Sequence, residues 1–495
     1  MVQIPLLSGA YQTRSIIAGA QRCVNLFGEV EHFETFAYFP QPTGPSVTTH
    51  YPTPGLTSLA TPTSGALRGL YFASTDQLFA VVGTEVVYLS STFGAQSLGS
   101  IAKGTSICSM ADDGSTLVLV DGTSAGYTID LATLAFSTIS DPTGTFVGAD
   151  FVRYLNTYFI FNKPGTPQFY STESGSLTFN ALYFANKSGY ADPLAAIAVA
   201  QQQIWLIGTQ TSEVWYDSGG SLSVSGAQFP FSQVEGAFIN HGCVAPYSVA
   251  VYDSNVFWLS RDNAGQAIVV MGQGNYQAQR ISTHAIEYQI QQYASISDAV
   301  GYVYQNQGHV FYVLSFPCGD ATWVYDMASK LWHEWSSADV NGFLHRHRCA
   351  LGCYAYGQIV GGDYETGQIY KIDPKAYTDN GTPIQRIRSF PHMVADLKRV
   401  RFNRFVADIA VGTGNPAADT TTGAAPYIYL RVSRDRGASF GTPLQQTLGS
   451  EGDFRKLVQW RRLGVARDAV FEVFWSAPVE TALNGAFIDA EPLAS

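Results

Sequence analysis

The strongest constraint on the fold is a hairpin that recurs along the first three quarters of the chain. Each copy has a mostly apolar run, a short turn and a second run that ends on or near an aromatic or β-branched residue. The copies occupy residues 77–89, 116–129, 157–170, 203–216, 255–270, 309–325 and 357–370. They follow one another at intervals of about 38 to 54 residues, close to the roughly 40 to 50 residues of a propeller blade. Nearly continuous apolar runs are typical of strands buried on both faces. The repeat therefore predicts an irregular β-propeller of six or seven blades.

The segments that flank the repeat lack this spacing. Residues 1–65 are rich in Pro, Thr and Gly, and proline interrupts regular elements, so we expect an extended N-terminal strap there. The propeller is predicted over residues 66–376. Residues 377–383 predict a linker, and residues 384–495 contain six or so further strands. Residues 377–495 are therefore predicted to form a jelly-roll-like C-terminal β-sandwich with a docking role. Within this unit, the Gly-, Ala- and Thr-rich residues 413–426 predict a mobile loop. The whole chain is predicted to be all-β apart from one helix.

That α-helix is predicted over residues 283–294. Thr283 can accept a hydrogen bond from the first helical turn and so cap the helix. Ile286, Ile290 and Tyr293 recur at helical spacing on one face, which predicts that this face packs against the core.

The charge of the chain is low and unevenly distributed. Only 14% of the residues are charged, against roughly 25% in typical soluble domains, and the net charge is −11. Residues 1–344 carry 10 Lys and Arg against 24 Asp and Glu, whereas residues 345–495 carry 18 against 15. A low charge density favours extensive contacts with partners, although a β-rich fold with neutral loops has the same composition. Because an acidic body binds the DNA backbone poorly, any DNA that meets this protein is expected to slide past.

The cysteines and the apolar runs bear on where the protein is made. The six cysteines lack the spacing of a disulfide framework, and a chain of this length does not need disulfide bonds for its stability. We therefore expect free thiols and synthesis in a reducing host cytoplasm. The start of the sequence does not resemble a signal peptide, and no apolar run reaches the roughly 18 residues of a membrane helix, so a soluble protein without a membrane segment is predicted. The cysteines are Cys23, Cys108, Cys243, Cys318, Cys349 and Cys353.

Gly122, Ser124 and Gly126 fit the G-x-S-x-G pattern of a hydrolase nucleophile. That nucleophile requires a sharp turn from a strand into a helix. A strand-like run follows Gly126 instead, so these residues predict a hairpin turn and no catalytic residue.

A segment rich in His and Cys is the one candidate metal site. His345, His347 and Cys349 fall on the same face of an extended strand, and Cys353 could complete a tetrahedral zinc site. Structural zinc sites, however, usually draw their ligands from turns, and the intervening arginines raise the electrostatic cost of binding a cation. An ordinary strand is the favoured interpretation, and neither a metal nor a cofactor is predicted.

Carbohydrate chemistry is a further possibility that the sequence raises. A glycosidase requires two carboxylates about 5 to 9.5 Å apart across a cleft, and the sequence singles out no such pair. Tryptophans could line a sugar-binding groove, but their large apolar surface more often fills the core of a blade. We expect the following tryptophans to be core residues: Trp205, Trp215, Trp258, Trp323, Trp332 and Trp335.

Basic residues accumulate in the C-terminal unit. They form a solvated face, or they dock onto an acidic partner such as a neighbouring ring or the propeller of the next copy. A nucleic-acid patch is the third interpretation, disfavoured because stacking aromatics are not interleaved with the basic residues. The set comprises Arg386, Arg388, Lys398, Arg399, Arg401, Arg404, Arg431, Arg434, Arg436, Arg455, Lys456, Arg461, Arg462 and Arg467.

The segment 427–478 carries the clearest local motifs. Its first seven residues alternate between apolar side chains and polar or aromatic ones, which predicts a half-buried strand. A hairpin turn follows, in which Asp435 accepts hydrogen bonds from the backbone, Gly437 adopts a positive φ and Phe440 returns to the core. Residues 460–478 predict two more strands joined by a short connection that contains Gly and Arg.

Taken in order along the chain, these motifs resemble the packaged-DNA stabilization proteins of short-tailed phages, which form the tail hub or nozzle. The resemblance covers most of the chain and is looser in the propeller. It is carried by Ser433, Asp435, Gly437 and Phe440, residues 460–464, residues 475–478, residues 4–9 with Arg14, residues 24–26, residues 54–56, residues 198–219, residues 242–260 and residues 281–290.

The resemblance implies a structural virion protein of the phage tail that is not an enzyme. It implies a homohexameric ring below the portal and the adaptor or head-completion protein, closing the DNA exit channel. It also implies contacts with a tail needle or plug and with a tailspike or tail fibre, and a transient, non-specific passage of DNA. The residues themselves leave open a propeller hydrolase or a lectin that acts on bacterial surface polysaccharide.

Overall fold

The computed structural model describes residues 2–4, 9–10, 21–32, 46–224, 227–413 and 426–493. Residues 5–8, Arg14 and most of the loop predicted over residues 413–426 lie outside the described residues. Five strands of the described part precede the propeller. They are β1 (Val2–Ile4), β2 (Cys23–Val24), β3 (Leu26–His32), β4 (Ser46–Pro52) and β5 (Gly55–Ala60).

Within the described ranges, the next part of the chain forms seven successive blades of four antiparallel strands each. In each of the first six blades the four strands are consecutive in the sequence. Their strands are β6 (Leu67–Ala73), β7 (Gln77–Val82), β8 (Glu85–Leu89), β9 (Ala95–Ser100), β10 (Ser109–Asp112), β11 (Thr116–Val120), β12 (Gly126–Asp130), β13 (Phe136–Thr138), β14 (Val152–Leu155), β15 (Tyr158–Asn162), β16 (Gln168–Thr172), β17 (Phe179–Asn186), β18 (Leu194–Ala200), β19 (Gln203–Gly208), β20 (Ser212–Val224), β21 (Ala227–Ile239), β22 (Ala250–Tyr252), β23 (Asn255–Arg261), β24 (Ala267–Gly272), β25 (Ala278–Arg280), β26 (Val300–Asn306), β27 (His309–Phe316), β28 (Ala321–Asp326) and β29 (Leu331–Ala338).

The seventh blade takes its fourth strand from the N-terminal segment. It contains β31 (Cys349–Ala355), β32 (Gln358–Asp363), β33 (Ile369–Asp373) and β5. The short strand β30 (Leu344–Arg346), which precedes β31 in the chain, pairs with β29 of the sixth blade. β5 pairs antiparallel with β33 and places Leu56 opposite Ile372. The first strands of neighbouring blades contact one another, and β31 contacts β6, so the ring is closed. Residues 1–65 therefore contribute strands to the sheets. Proline permits this because Pro54 and Pro62 flank β5 and do not interrupt it.

The repeated hairpin of the sequence corresponds to the second and third strands of each blade. β7, β11 and β19 are almost entirely buried, because the neighbouring blades cover both of their faces. The outermost strands, such as β9 and β13, are largely exposed. The apolar pattern therefore identified the middle of every blade, and the predicted propeller is confirmed with seven blades among the described residues.

The remaining strands follow the propeller. They are β34 (Thr378–Asp379), β35 (Thr382–Pro383), β36 (Arg386–Ser389), β37 (Met393–Val394), β38 (Val400–Ile409), β39 (Tyr427–Ser433), β40 (Leu444–Thr447), β41 (Val458–Ala466), β42 (Asp468–Trp475) and β43 (Leu483–Pro492). β34 pairs with β5, and β35 pairs with β34, so these two strands extend the sheet of the seventh blade. The others join two sheets whose apolar side chains share one core. One sheet has the order β3-β4-β43-β38-β41. The other extends from the sixth blade through β2 into β36, β42, β39 and β40. The rings of Phe405 and Phe471 stack between the two sheets, with centroids 5.3 Å apart.

The two strands predicted over residues 460–478 form, but they belong to different sheets. β41 and β42 are consecutive, yet β41 pairs with β38 in one sheet and β42 pairs with β36 and β39 in the other. The chain crosses between the sheets at Arg467, and Gly464 lies inside β41 opposite Phe402. The boundary at residues 376/377 and the jelly-roll-like connectivity stay predictions.

The single α-helix of the described residues, α1, spans His284–Ile290. Thr283 caps it as predicted, since its side chain accepts a hydrogen bond from the backbone of Ile286. Ile286 and Ile290 are buried, whereas Tyr293 lies beyond the helix in a turn and is only partly buried. None of the helices in the described ranges has the length and hydrophobicity needed to cross a membrane.

Candidate functional site

The first strands of the seven blades surround a cavity of about 630 Å³ on the propeller axis. Apolar and tyrosine side chains form most of its wall. Among the described residues that line the cavity, Asp112 is the one carboxylate and Arg153 is the one cation.

Asp112 is already saturated with hydrogen bonds. Its Oδ1 atom accepts a hydrogen bond of 2.7 Å from the hydroxyl of Tyr71, and the backbone and hydroxyl of Ser74 also donate to the carboxylate. The backbone of Gly114 donates at 3.0 Å. Burial and the bond to Asp112 raise the pKa of Tyr71, so this hydroxyl is a neutral donor. The lining of the axial cavity therefore lacks the pair of carboxylates that glycoside hydrolysis requires.

The charge of Arg153, in contrast, is not neutralised by a partner among the described residues. Its Nη1 atom donates to the hydroxyl of Ser109 at 2.7 Å and to the carbonyl of Val152 at 2.8 Å. The guanidinium carbon lies 5.6 Å from the ring centroid of Phe151. Within the described residues, no carboxylate forms an ion pair with it. Burial lowers the pKa of Arg153 to about 10, and the group still carries its charge at neutral pH.

The structure does not bring the four candidate zinc ligands together. Cys349 packs in the core between the sixth and seventh blades, whereas Cys353 contacts the core between the seventh and first blades. A bulge near the start of β31 separates them, so the two thiols lie on opposite sides of one sheet. The described residues contain no group of three or more His, Cys, Asp and Glu side chains arranged to hold a metal ion.

The two histidines of this segment also have other partners. His345 is half exposed, and its Nδ1 atom lies 2.7 Å from Oδ2 of Asp320. His347 is buried against Trp335, with ring centroids 5.7 Å apart, and burial lowers its pKa to about 4. Burial also raises the pKa of Cys353 to about 12, which disfavours the thiolate that a metal would need. The segment forms two strands, β30 and β31, with His347 and Arg348 between them, and not the single strand that was the favoured interpretation.

Gly122, Ser124 and Gly126 form the turn between β11 and β12. Gly126 opens β12 and pairs with Val120, so a strand follows the motif and no helix begins there. Thr123 holds the turn by donating a backbone hydrogen bond of 3.0 Å to Asp121. The predicted hairpin is confirmed, and the geometry of a nucleophile elbow is absent from these residues.

The tryptophans are core residues, as predicted. Their exposed fractions lie between 0% and 6%, so none presents a face to a sugar in this chain. The six are Trp205, Trp215, Trp258, Trp323, Trp332 and Trp335.

Two of the C-terminal basic residues lie on neither a solvated nor a docking surface. Arg386 and Arg388 are completely buried, because β36 lies between β2 and β42 in the middle of a sheet. Arg388 donates to the carbonyl of Gly9 at 3.3 Å, whereas Arg431 stays partly exposed and forms an ion pair with the buried Glu472. For Arg386 and Arg388 the solvated-face and docking interpretations are both wrong. Periodicity along a strand shows which side chains share a face, but not which strands cover that face.

The turn predicted at Asp435 forms as expected. Ser433 and Ser439 donate to its carboxylate and lower its pKa to about 2, and Gly437 has a φ of +89°. Phe440 does not return to the core; it is half buried, 4.8 Å from the guanidinium carbon of Arg431. The turn projects Arg434 and Arg436 from the end of β39.

These two arginines meet Arg467, Leu397, Asp435 and Asp468 around a depression of about 510 Å³, where three cations outnumber two carboxylates. Arg436 Nε lies 3.7 Å from Oδ2 of Asp468. Arg434 donates to the carbonyl of Leu463 at 2.7 Å, and Arg467 donates to the carbonyl of Leu397 at 2.6 Å. The side chain of Leu397 is 59% exposed beside them. We call Leu397, Arg434, Arg436 and Arg467 the arginine edge. The sequence indicated the charges, but the crossing between two sheets at Arg467 was needed to assemble them.

Comparisons with solved structures return matches of low similarity, two of which are described as WD40 structures. A structure of U3-55K has 11% identity and a TM-score of 0.41, covering 65% of this chain and 99% of that one. The RRP9 WD40 repeats have 10% identity and a TM-score of 0.42, covering 65% and 99%. The WD40 propeller domain of Doa1 has 11% identity and a TM-score of 0.38, covering 64% and 97%. No curated protein sequence matches the chain significantly.

A family profile identifies the chain more directly. The profile is described as Phage_stabilise, Bacteriophage P22 Gp10, beta-propeller, and it matches residues 2–377. The match spans the N-terminal strands and all seven described blades, and it ends before the segment 427–478. With well over half of its length matched, the chain belongs to the Phage_stabilise family of phage structural β-propeller proteins.

Proposed function

We propose that this protein is a subunit of the phage tail hub or nozzle, a homohexameric ring that surrounds the DNA exit path in the virion. Membership of the Phage_stabilise family supports a structural role in a phage. In the proposed position the ring lies below the portal and its adaptor or head-completion protein. It bears a tail needle or plug and a tailspike or tail fibre.

The observation that carries the ring is the separation of charge along one chain. The arginine edge lies at the end of the C-terminal sheets, while residues 1–344 carry 10 Lys and Arg against 24 Asp and Glu. Two different, complementary surfaces on identical subunits favour a head-to-tail interface, which closes into a ring when the rotation between subunits permits. Arginine is also enriched at protein interfaces.

The dimensions of the propeller support a DNA path between subunits. The axial cavity holds about 630 Å³ and is walled by tyrosine and apolar side chains. It cannot admit a double helix whose major groove alone is roughly 12 Å wide. The path is therefore the lumen of the ring, where the net negative charge of the subunits repels phosphate and lets DNA slide.

The ring is tested by native mass spectrometry and electron microscopy at several salt concentrations, with and without the adaptor protein. The variant Arg434→Glu/Arg436→Glu/Arg467→Glu reverses the arginine edge, and Lys103→Glu/Arg261→Glu/Lys330→Glu reverses three exposed cations on the propeller. We expect the wild type and the propeller variant to form hexamers on the adaptor and the arginine-edge variant to remain monomeric. Antibody labelling of virions should mark the axial tail; label on fibres or capsid faces contradicts the proposal.

The alternative of a hydrolase or lectin acting on bacterial surface polysaccharide has less support. The wall of the axial cavity presents one carboxylate, and that carboxylate is held by four donors. Release of reducing sugar from purified capsule or lipopolysaccharide would favour the hydrolase.

A further inference from the structure

Arg153 stands on the first strand of the third blade and faces the axial cavity. Its Nη1 atom is held by two neutral oxygens, of Ser109 and Val152. Its Nε and Nη2 atoms donate no hydrogen bond to the described residues, and Arg153 is one of the residues that line the cavity. The hydrogen bonds of Nη1 thus orient the guanidinium, and Nε and Nη2 remain available to donate to a ligand in the cavity.

The charge of Arg153 is not balanced within the wall. Asp112 is the one carboxylate there, and its acceptors are taken by Tyr71, Ser74 and Gly114. Arg153 is partly buried, and withdrawing a cation from water without a counter-charge costs stability. The lowered pKa of Arg153 has the same physical cause. A bound anion would offset this cost.

Among the described residues that line the cavity, Arg153 is the one cation. Tyr302, on the first strand of the sixth blade, borders the cavity, but its hydroxyl is buried in the core between the sixth and seventh blades with Tyr304 and Cys349. An occupant of the cavity does not reach this hydroxyl, so Arg153 is the group that would hold an anion.

We propose that the axial cavity binds a small oxyanion, a carboxylate or phosphate group of a low-molecular-weight molecule, with Arg153 as its principal ligand. The volume of about 630 Å³ lies within the roughly 300 to 1,000 Å³ typical of small-molecule sites. A guanidinium binds either anion through two parallel hydrogen bonds. Apolar walls, with Val199 and Val249 among them, accommodate the remainder of the ligand. This site is independent of the proposed ring function.

Isothermal titration calorimetry of the full chain in low salt tests the site, with acetate, citrate and inorganic phosphate as probes and chloride as the control anion. We expect binding of citrate or phosphate that weakens at least about tenfold in Arg153→Gln, since a charge-assisted pair contributes roughly 1.5 to 3 kcal/mol. The matched control Arg261→Gln removes an exposed arginine and should bind as the wild type does. Preference for citrate over phosphate identifies a carboxylate ligand, and the reverse preference identifies a phosphate ligand.

Two further variants keep the test decisive if Arg153→Gln is poorly folded. Arg153→Lys keeps the charge but loses the two-donor geometry, so we expect affinity to fall at least about threefold. Tyr302→Phe removes a hydroxyl that lies in the core between the sixth and seventh blades and not in the cavity, so it should bind citrate as the wild type does. Absence of binding by the wild type, or equal affinity in the wild type and both Arg153 variants, overturns the proposal. Hexamer formation should be unchanged in all of them, which separates this site from the ring.

Discussion

The Nδ2 atom of Asn25 donates a hydrogen bond of 2.8 Å to the carbonyl oxygen of Gln385, 360 positions away in the chain. The same nitrogen donates to the carbonyl of Ser336 at 2.9 Å, and Oδ1 accepts from the backbone of Ser336 at 2.8 Å. Asn25 is 1% exposed and has a φ of +54°, a conformation that asparagine tolerates. One side chain therefore connects the N-terminal segment, the sixth blade and the start of the C-terminal sheets.

Replacing this residue should destabilise the junction. Asn25→Ala leaves two buried carbonyls and one backbone N–H without their partner and places alanine at a positive φ, so we expect a loss of about 3 to 5 kcal/mol in the free energy of unfolding. Asn380 has a similar φ of +48° but is exposed, and Asn380→Ala should cost only about 1 kcal/mol. Urea unfolding followed by tryptophan fluorescence compares the two. Equal losses would mean that backbone strain alone explains the effect.

Closure of the propeller depends on the close approach of Gly55 to the chain that follows the seventh blade. A Cβ atom at Gly55 would lie 2.5 Å from the carbonyl oxygen of Thr378 and 2.6 Å from that of Ala376. Gly55→Ala should therefore displace β5 and cost about 2 to 4 kcal/mol. Gly441→Ala is the control, because its Cβ would meet nothing closer than 3.5 Å. Hydrogen exchange should show faster exchange in β33 for Gly55→Ala alone; unchanged exchange there would contradict the closure role of β5.

Asp379 gives the stability of the protein an unusual pH dependence. Burial raises its pKa to about 6 against an ordinary value of 3.8, and the hydroxyl of Ser337 and the guanidinium of Arg386 offset only part of that rise. Because the folded-state pKa is the higher one, the folded protein binds more protons between pH 4 and 6, and the contribution of Asp379 to stability falls as the pH rises through this window. Asp379→Asn mimics the protonated form. It should be about 1 to 3 kcal/mol more stable than the wild type above pH 7 and equal to it near pH 4.

The measurement is urea unfolding at a series of pH values between 4 and 8. Asp435→Asn should change the stability in the opposite direction, because hydrogen bonds from Ser433 and Ser439 lower the pKa of Asp435 to about 2. That variant should be less stable than the wild type at neutral pH. A difference between Asp379→Asn and the wild type that does not vary with pH would refute the assignment.

The six free thiols should differ sharply in reactivity. Cys318 is exposed, whereas Cys23, Cys108, Cys243 and Cys349 are buried and Cys353 is partly buried. We expect one thiol to react quickly with a disulfide reagent and the others at least about a hundredfold more slowly, with the fast phase absent from Cys318→Ser.

The carboxylate of Asp298 raises the pKa of the Cys318 thiol, first through a hydrogen bond and then through its charge. Asp298→Asn should therefore accelerate the fast phase at pH 7, and a Ser297→Ala variant should not, since this neighbouring hydroxyl carries no charge. Two or more fast thiols in the native protein would contradict the burial of the others.

The burial of local segments could be predicted from the sequence, whereas the pairing of distant strands could not. The hairpins were predictable because the second and third strands of each blade are covered on both faces, which demands consecutive apolar side chains. The turn at Asp435 was predictable because its hydrogen bonds close within a few residues. Arg386 and Arg388 were misassigned because a charged residue on a strand looks the same whether its sheet lies at the surface or in the middle of the protein.

By itself the sequence determined the repeat, its hairpin form, the core role of the tryptophans and the excess of positive charge toward the C-terminal end. Only the tertiary structure decided that β5 completes the seventh blade, that Cys349 and Cys353 lie on opposite sides of a sheet, and that Arg153 faces a cavity without a counter-ion. The physical reason is that each of these depends on which distant strands pair or cover one another. Such pairings are stabilised by contacts between segments hundreds of residues apart, and they leave no periodic pattern in the neighbourhood of any one residue.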